Sequence, residues 1–332
     1  MSELGVSVPL PGLELHEHRA AASQLRQAGF GGFWTGEVNG TDGISPLAVL
    51  SAWEPTMSLS CGVVSAFTRG PAVLAQTAAA LGELAPDHSR FGIGTGSGTT
   101  VSSWNGMPFD KPYTRVKETL RFLREVLADG HSHSPTTTFS SDGFRLARTP
   151  RTPPRLVLAA LGPRMQRLAA AEADGVILNF LSAGDTASIV ALGKETERRR
   201  DERLEVITRV FLVPGSGPAS ELAARRHLAA YLNVPVYAEF QRWLGRASQL
   251  DAMWKAWEQG DRRAAVRAIP DAVVQDLIVT GDAATCGRAV AGYAAEGVDC
   301  TIISVMAPFD EPMPPSEHLD FVCQVAAAAR GV

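Results

Sequence analysis

Short apolar runs alternate with stretches of helical periodicity along nearly the whole chain. "LGVSVPL" (4–10) reads as a strand, and "LELHEHRAAASQLRQAG" (13–29) as a helix with Gly29 near its C-cap. "GFWTG" is a second strand, followed by a short helix at "SPLAVLSAW". "MSLSCGVVSAF" is a third, and Pro71 opens the next helix, "PAVLAQTAAALGELA", at its first position. "SRFGIGTG" is the fourth. Its helix begins near Asp110-Lys111-Pro112 and carries apolar residues at 116, 120, 123 and 127, a helical period. "PRLVLAAL" with "PRMQRLAAAEA", then "DGVILNF", then "VITRVFLVP" continue the series. "VDCTIISVM" (298–306), after the helix "AATCGRAVAGYAAEG", is the eighth strand.

The strands read as continuous apolar runs rather than alternating ones, as expected of parallel strands covered on both sides. Eight strand–helix units predict an α/β fold, a closed (β/α)8 TIM barrel, spanning residues 1–332 as one domain. Two stretches depart from the repeat. Residues 129–154 are polar, and "TTTFSSDGFRLA" reads as a β-hairpin turned at Ser141-Asp142-Gly143. Residues 219–279 form a helical insertion between strands seven and eight, carrying Trp243, Trp254 and Trp257.

Such barrels build their active sites at the C-terminal ends of the strands. That rim is expected at Glu37, Cys61 to Ser65, Thr95 to Ser97, Ala160 to Pro163, Asn179 and Phe180, Arg209 to Phe211, and Ser304 to Met306. Glycines 92, 94, 96 and 98 fall on the fourth strand and its end. They fit either a crowded strand or a close backbone approach to a ligand. Neither G-x-G-x-x-G nor G-K-[ST] is present there, since Ser97 stands where a third dinucleotide glycine would fall.

Composition narrows the partners. The chain is 45% hydrophobic with a formal charge of −4, so it has a core and no broad basic surface for nucleic acid. No apolar run reaches the length of a membrane span, and the first residues lack a signal peptide's pattern. Cysteines 61, 286, 300 and 323 have no C-x-x-C spacing, so neither zinc nor a disulfide framework is expected. The expectation is a cytoplasmic protein with no metal, acting on a small molecule, with a homodimer as its candidate assembly. His16 and His18 read as surface residues, and His131 and His133 lack a carboxylate partner at helical spacing.

Four blocks in order, "GFGGFWTGEVNGTDGISPLAVLSAW", "VVSAFTRGPAVLAQTAAAL", "RFGIGTGSGTTVSSWNGMPFDKPYTRVKETLRFLREVL" and "PPRLVLAALGPRMQRLAAAEADGVILNFL", resemble the bacterial luciferase-like superfamily. The resemblance is to its coenzyme F420-dependent oxidoreductase branch; other branches use FMN. It implies a hydride exchanged between a deazaflavin and a small organic substrate. It also implies cofactor contacts: Glu37 at the polar edge of the ring and as the candidate catalytic residue, and a non-prolyl cis bulge at Cys61-Gly62, or one residue on at Gly62-Val63, behind the ring. Thr95, Gly96 and Ser97 would line the ring and ribityl region. Ala160, Gly162 and Pro163 would hold the phosphate, with Asn179 beside them.

The residues support the phosphate site independently. Gly162 and Pro163 directly precede a helix, whose start attracts anions, and Arg164 and Arg167 add positive charge. Gly162 is expected to have no room for a side chain. Trp104, Met107 and Phe109, in the loop after strand four, are candidates to cover a flat ring. One position departs from the sugar-phosphate dehydrogenases of the family: where they carry a proton-transferring His after the acidic residue, this chain has Val38. An FMN-dependent monooxygenase and a flavin or deazaflavin carrier without turnover are the competing readings.

Overall fold

The computed structural model describes residues 2–196, 203–306 and 313–331. Its strands are β1 (Glu3–Ser7), β2 (Gly32–Thr35), β3 (Ser58–Ser65), β4 (Ser89–Gly94), β5 (Arg155–Ala159), β6 (Gly175–Asn179), β7 (Glu205–Pro214), β8 (Val279–Gly281) and β9 (Cys300–Val305). Its helices are α1 (His18–Gln27), α2 (Ser45–Trp53), α3 (Pro71–Leu84), α4 (Pro112–Asp129), α5 (Pro163–Glu172), α6 (Ala183–Glu195), α7 (Pro218–Leu232), α8 (Pro235–Trp243), α9 (Ala247–Glu258), α10 (Arg262–Arg267), α11 (Asp271–Leu277), α12 (Ala283–Ala295) and α13 (Pro315–Arg330).

Strands β1 to β7 pair in sequence, all parallel, and β9 pairs with both β7 and β1, closing an eight-stranded barrel. The expected TIM barrel is therefore present. The short β8 is an addition, paired with the far end of β7 from Leu212↔Val279 to Pro214↔Gly281. Two apolar layers hold the barrel. The outer one, between strands and helices, includes Phe33, Leu59, Phe91, Leu120, Leu158 and Leu178. The inner one is Trp34, Val157, Ile177, Ile207, Cys300 and Ile302. At the N-terminal ends of the strands Arg90 closes the barrel, with Nη2 2.6 Å from Glu3 and 2.7 Å from Glu205.

The helical period read in α4 is the buried stripe, since Val116, Leu120, Leu123 and Leu127 are all interior. The stretch 219–279 is helical as expected, though α7 begins one residue earlier at Pro218 and the stretch ends in β8. These helices form their own apolar cluster, with Leu228, Leu232, Leu250, Met253 and Trp254 at its centre.

The polar excursion at 129–154 turns at Asp142-Gly143, and Phe144 N donates to Ser141 O at 3.1 Å, but no strand pair forms. Carboxylates on α4 bind backbone N–H groups of this stretch, two of them in the expected hairpin. Glu118 accepts from the backbone N–H groups of Thr137 and Thr138 at 3.0 and 2.9 Å. Glu125 does the same for His133 and Ser134 at 2.8 and 3.0 Å. His18, expected on the surface, is buried: Leu10 N donates to its Nε2 at 2.8 Å, and its Nδ1 lies 2.9 Å from Glu14 O.

Candidate active site at the barrel mouth

Paired residues of a parallel sheet face the same side, so the register sorts inner from outer positions around the barrel. Trp34↔Ser60 and Ser60↔Arg90 on one side, and Ile177↔Ile207 and Asn179↔Arg209 on the other, all face inward. The inward positions at the C-terminal ends are Ser7, Gly36, Gly62, Gly94, Ala159, Asn179, Arg209 and Ser304. They form the floor of the barrel mouth.

Beside that floor, over β2 to β4, lies a cleft of about 470 Å³ lined by Glu37, Val38, Asp42, Val63, Ser65, Arg69, Gly96 and Thr100 among others. Glu37 is held in place here. Arg69 Nη2 donates to its Oε1 at 2.5 Å, and Gly43 N donates to the same oxygen at 3.2 Å. Asp42 lies 3.8 Å from the same guanidinium. The hydrogen bond to Glu37 holds the Arg69 pKa above its usual value. Val38, where some relatives of the resembled branch have His, is an exposed apolar residue on the cleft wall.

The non-prolyl cis peptide is at Gly62-Val63, not Cys61-Gly62. The sheet register shifts there, between Cys61 and Val64. Val63, past the shift, lines the cleft, while Cys61, before it, faces the outer core by ordinary strand alternation and is fully buried. Burial pushes the Cys61 thiol up to about 12. Only the backbone of Cys61 remains to serve the mouth.

The glycines of β4 have separate reasons. A Cβ at Gly92 would come within 2.4 Å of Cys61 O, and one at Gly94 within 3.0 Å of Val63 Cγ2 and 3.1 Å of Ala159 Cβ. The crowded-strand reading therefore explains both, and Val63 fills the space beside Gly94. Gly96 sits at φ +68, a left-handed conformation that favours glycine, at the cleft edge. Thr95 O accepts from Ser65 Oγ at 3.1 Å. Ser97 Oγ accepts from Thr100 N at 3.1 Å, starting the single π-type turn Thr99–Trp104. Trp104 at its end and Met107 beyond it are exposed, and Phe109 packs on Phe67 with ring centroids 5.0 Å apart.

The predicted phosphate residues lie one strand farther round. Gly162 is the N-cap of α5 and Pro163 its first residue, and no side chain caps this helix. A Cβ at Gly162 would meet no atom within 4 Å, so the space expected to be closed is open. Its backbone is extended, at φ −93 and ψ 156. Neither packing nor backbone geometry in the protein calls for glycine here. Ala160 is buried, and its N–H is already donated to Ile177 O at 3.3 Å. Arg164 lies over the Tyr113 ring at 3.8 Å, which keeps its charge beside the helix start.

Three inward polar atoms at the mouth, Ser7 Oγ, Asn179 Oδ1 and Arg209 Nε, are buried and have no hydrogen-bond partner. Asn179 and Arg209 were both legible as strand-end residues, though only Asn179 was given a cofactor contact; Ser7 was not singled out from sequence. The signal that points to Arg209 is a lone charged residue inside the apolar run "VITRVFLVP". Among the described residues no group of three His, Cys, Asp or Glu side chains is arranged to hold a metal ion. No helix of the described residues is long and apolar enough to cross a membrane.

Comparison with known proteins gives this geometry a context. A model of the luciferase-like monooxygenase family matches residues 2–300. A Mycobacterium tuberculosis protein provisionally named a coenzyme F420-dependent oxidoreductase is 26% identical over 312 residues, covering 86% of this chain and 90% of that protein. Among solved structures, the coenzyme F420-dependent tetrahydromethanopterin reductase of Methanopyrus kandleri superposes with a TM-score of 0.75 at 18% identity, covering 97% of each chain. An F420-dependent secondary alcohol dehydrogenase superposes with a TM-score of 0.69 at 15% identity, covering 98% of this chain and 99% of that one.

Proposed function

The chain belongs to the luciferase-like monooxygenase family, and from that premise we propose that it is a cytoplasmic coenzyme F420-dependent oxidoreductase exchanging a hydride with a small organic substrate. The carrying observation is Gly162. Glycine at an uncapped helix start, with open space where a side chain would stand, fits the close approach of a phosphate group to backbone N–H donors. The buried Asn179 Oδ1, which makes no hydrogen bond of its own, adds a polar atom of the kind that the edge of a ring would satisfy. F420 rather than another phosphate-bearing cofactor is supported by the names of the M. tuberculosis relative and of the two superposed enzymes.

In this reading the Gly62-Val63 backbone and Gly96 would hold the ring, with Thr95 and Ser97 flanking it. Gly162, Pro163 and Arg164 would hold the phosphate. F420 supplies a two-electron hydride carrier at its deazaflavin carbon. The chain's own part is to position, to exclude water and to handle a proton. Glu37 is the candidate for the proton. Hydrogen bonds from Arg69 and Gly43 fix its carboxylate at the cleft, within the space a substrate would enter. Trp104 and Met107, exposed beside the cleft, would cover the bound ring.

Titrating the protein into F420 and separately into FMN, with fluorescence as the signal, tests the assignment. F420 binding with no FMN binding is the expected result. FMN binding alone would assign the protein to flavin-dependent monooxygenation, and binding of neither would overturn the reading. F420 binding without F420H2 consumption across a panel of carbonyl substrates would favour a carrier.

A further inference from the structure

Arg209 stands on β7 at the floor of the mouth with an incomplete set of partners. Nη2 donates to Gly62 O at 3.0 Å, and Nε is buried with no partner. No carboxylate among the described residues pairs with it; the ionisable groups in electrostatic reach are Tyr231, Tyr237 and Cys61. Burial pulls the Arg209 pKa down, yet a guanidinium stays charged in any protein setting. A charge removed from water without a counter-charge is costly, and that cost is relieved when an anion docks.

The groups around it have a consistent character. Phe180 and Phe211 stack with centroids 4.4 Å apart, and Tyr231 and Tyr237 from α7 and α8 lie 4.7 and 5.6 Å from the Phe180 ring. Gln241 on α8 donates to Phe180 O at 2.7 Å and fixes this wall. The wall is apolar with phenol hydroxyls, set beside one unsatisfied cation. The residues assigned to the cofactor come mostly from β2 to β5, so the β6–β7 quadrant and its added helices remain for the substrate.

We propose that Arg209 with the half-buried Tyr231 and Tyr237, backed by the buried Phe180 and Phe211, forms a substrate subsite for a small organic anion, a carboxylate or enolate carried on an apolar or aromatic body. Arg209 binds the oxyanion, and Tyr231 and Tyr237 take the body. This assignment rests on the F420 reading for its placement of the cofactor, but its test does not need F420 to bind.

Benzoate and its neutral analogue benzamide are the probes, with the full-length protein. Benzoate is expected to raise the melting temperature and benzamide not, with Arg209→Met weakening benzoate binding roughly tenfold or more and Arg209→Lys retaining part of it. Equal shifts from benzoate and benzamide in the unmodified protein would overturn the proposal without recourse to any variant. So would a benzoate preference that survives in Arg209→Met. In parallel, F420 fluorescence is followed with benzoate added: binding of both together is expected. Benzoate displacing F420 would overturn the substrate assignment by giving Arg209 to the cofactor. Failure of F420 to bind at all would strike the cofactor reading while leaving the benzoate result to stand.

Discussion

Arg209 and Gly62 are 147 residues apart in sequence, yet the guanidinium of one donates to the carbonyl oxygen of the other at 3.0 Å. The bond ties β7 to β3 across the mouth, and its acceptor is the carbonyl of the cis peptide. Directly beneath, Gly62 faces Trp34 and Ile177. A Cβ there would lie 2.6 Å from Ile177 Cδ1 and 3.0 Å from Trp34 Cε3. Gly62→Ala is therefore expected to overpack the inner layer and cost about 1–3 kcal/mol. Urea unfolding would show it as a lower midpoint with an unchanged slope. A midpoint equal to the parent's would mean that Ile177 moves aside without penalty.

Gly162→Glu should leave the fold intact, because no protein atom lies where the new side chain begins. It should weaken F420 binding at least about tenfold by occupying the helix start and adding like charge. Parallel F420 titration and thermal melting check the two halves separately. Unchanged F420 affinity would place the phosphate elsewhere.

At the opposite end of the barrel, Arg90→Met should be among the most damaging substitutions. Burial opposes the Arg90 charge, but the carboxylates of Glu3 and Glu205 outweigh it and raise its pKa. Removing the cation takes an ion-pair partner from each of two carboxylates; Glu205 keeps Arg155 at 3.1 Å, so the loss is about 3 kcal/mol, the low end for a broken buried pair. Denaturant melts of Arg90→Met and of Arg90→Met/Glu3→Gln/Glu205→Gln check it. The triple variant should recover part of the loss.

His318 gives the fold an acid-sensitive component. It is buried on α13, and burial lowers its pKa to about 4 from an ordinary value of 6.5. Above about pH 6.5 both folded and unfolded chains hold it neutral, and its contribution is complete. Between about pH 6.5 and about pH 4 the unfolded chain takes up a proton that the native one refuses, so stability falls, by at most about 3 kcal/mol. Below about pH 4 this loss levels off. His318→Leu should flatten that part of the stability-against-pH curve, measured by urea unfolding at a series of pH values.

Much of this was legible along the chain because it depends on near neighbours. The stripe 116, 120, 123 and 127 lies on one face of α4 wherever that helix packs, and Pro71 starts α3 whatever surrounds it. Eight such units leave few ways to bury their faces, so the closed barrel and its functional rim follow from pattern. The position of Glu37 at the end of β2, and of Gly162 before α5, follows with them.

What the tertiary structure decided are contacts between residues distant in sequence. In the stretch after α4, Glu118, up to 20 residues earlier, takes the N–H groups of Thr137 and Thr138 that a first hairpin strand would have offered its partner. His18 is interior because Leu10 folds back onto it. Gly92 and Gly94 are required by Cys61 and Val63 on the adjacent strand, and of the two expected places the cis bond takes the second, Gly62-Val63, with Val63 at the cleft. Arg209 reads in sequence as one basic residue in an apolar strand. Only barrel closure brings Gly62 to one side of it and the rings of α7 and α8 near it, and so leaves a half-buried guanidinium, its Nε fully buried, with no carboxylate beside it among the described residues. Local periodicity carries no information about which strand faces which across a closed barrel; side-chain packing fixes that, and the chemistry of the mouth depends on it.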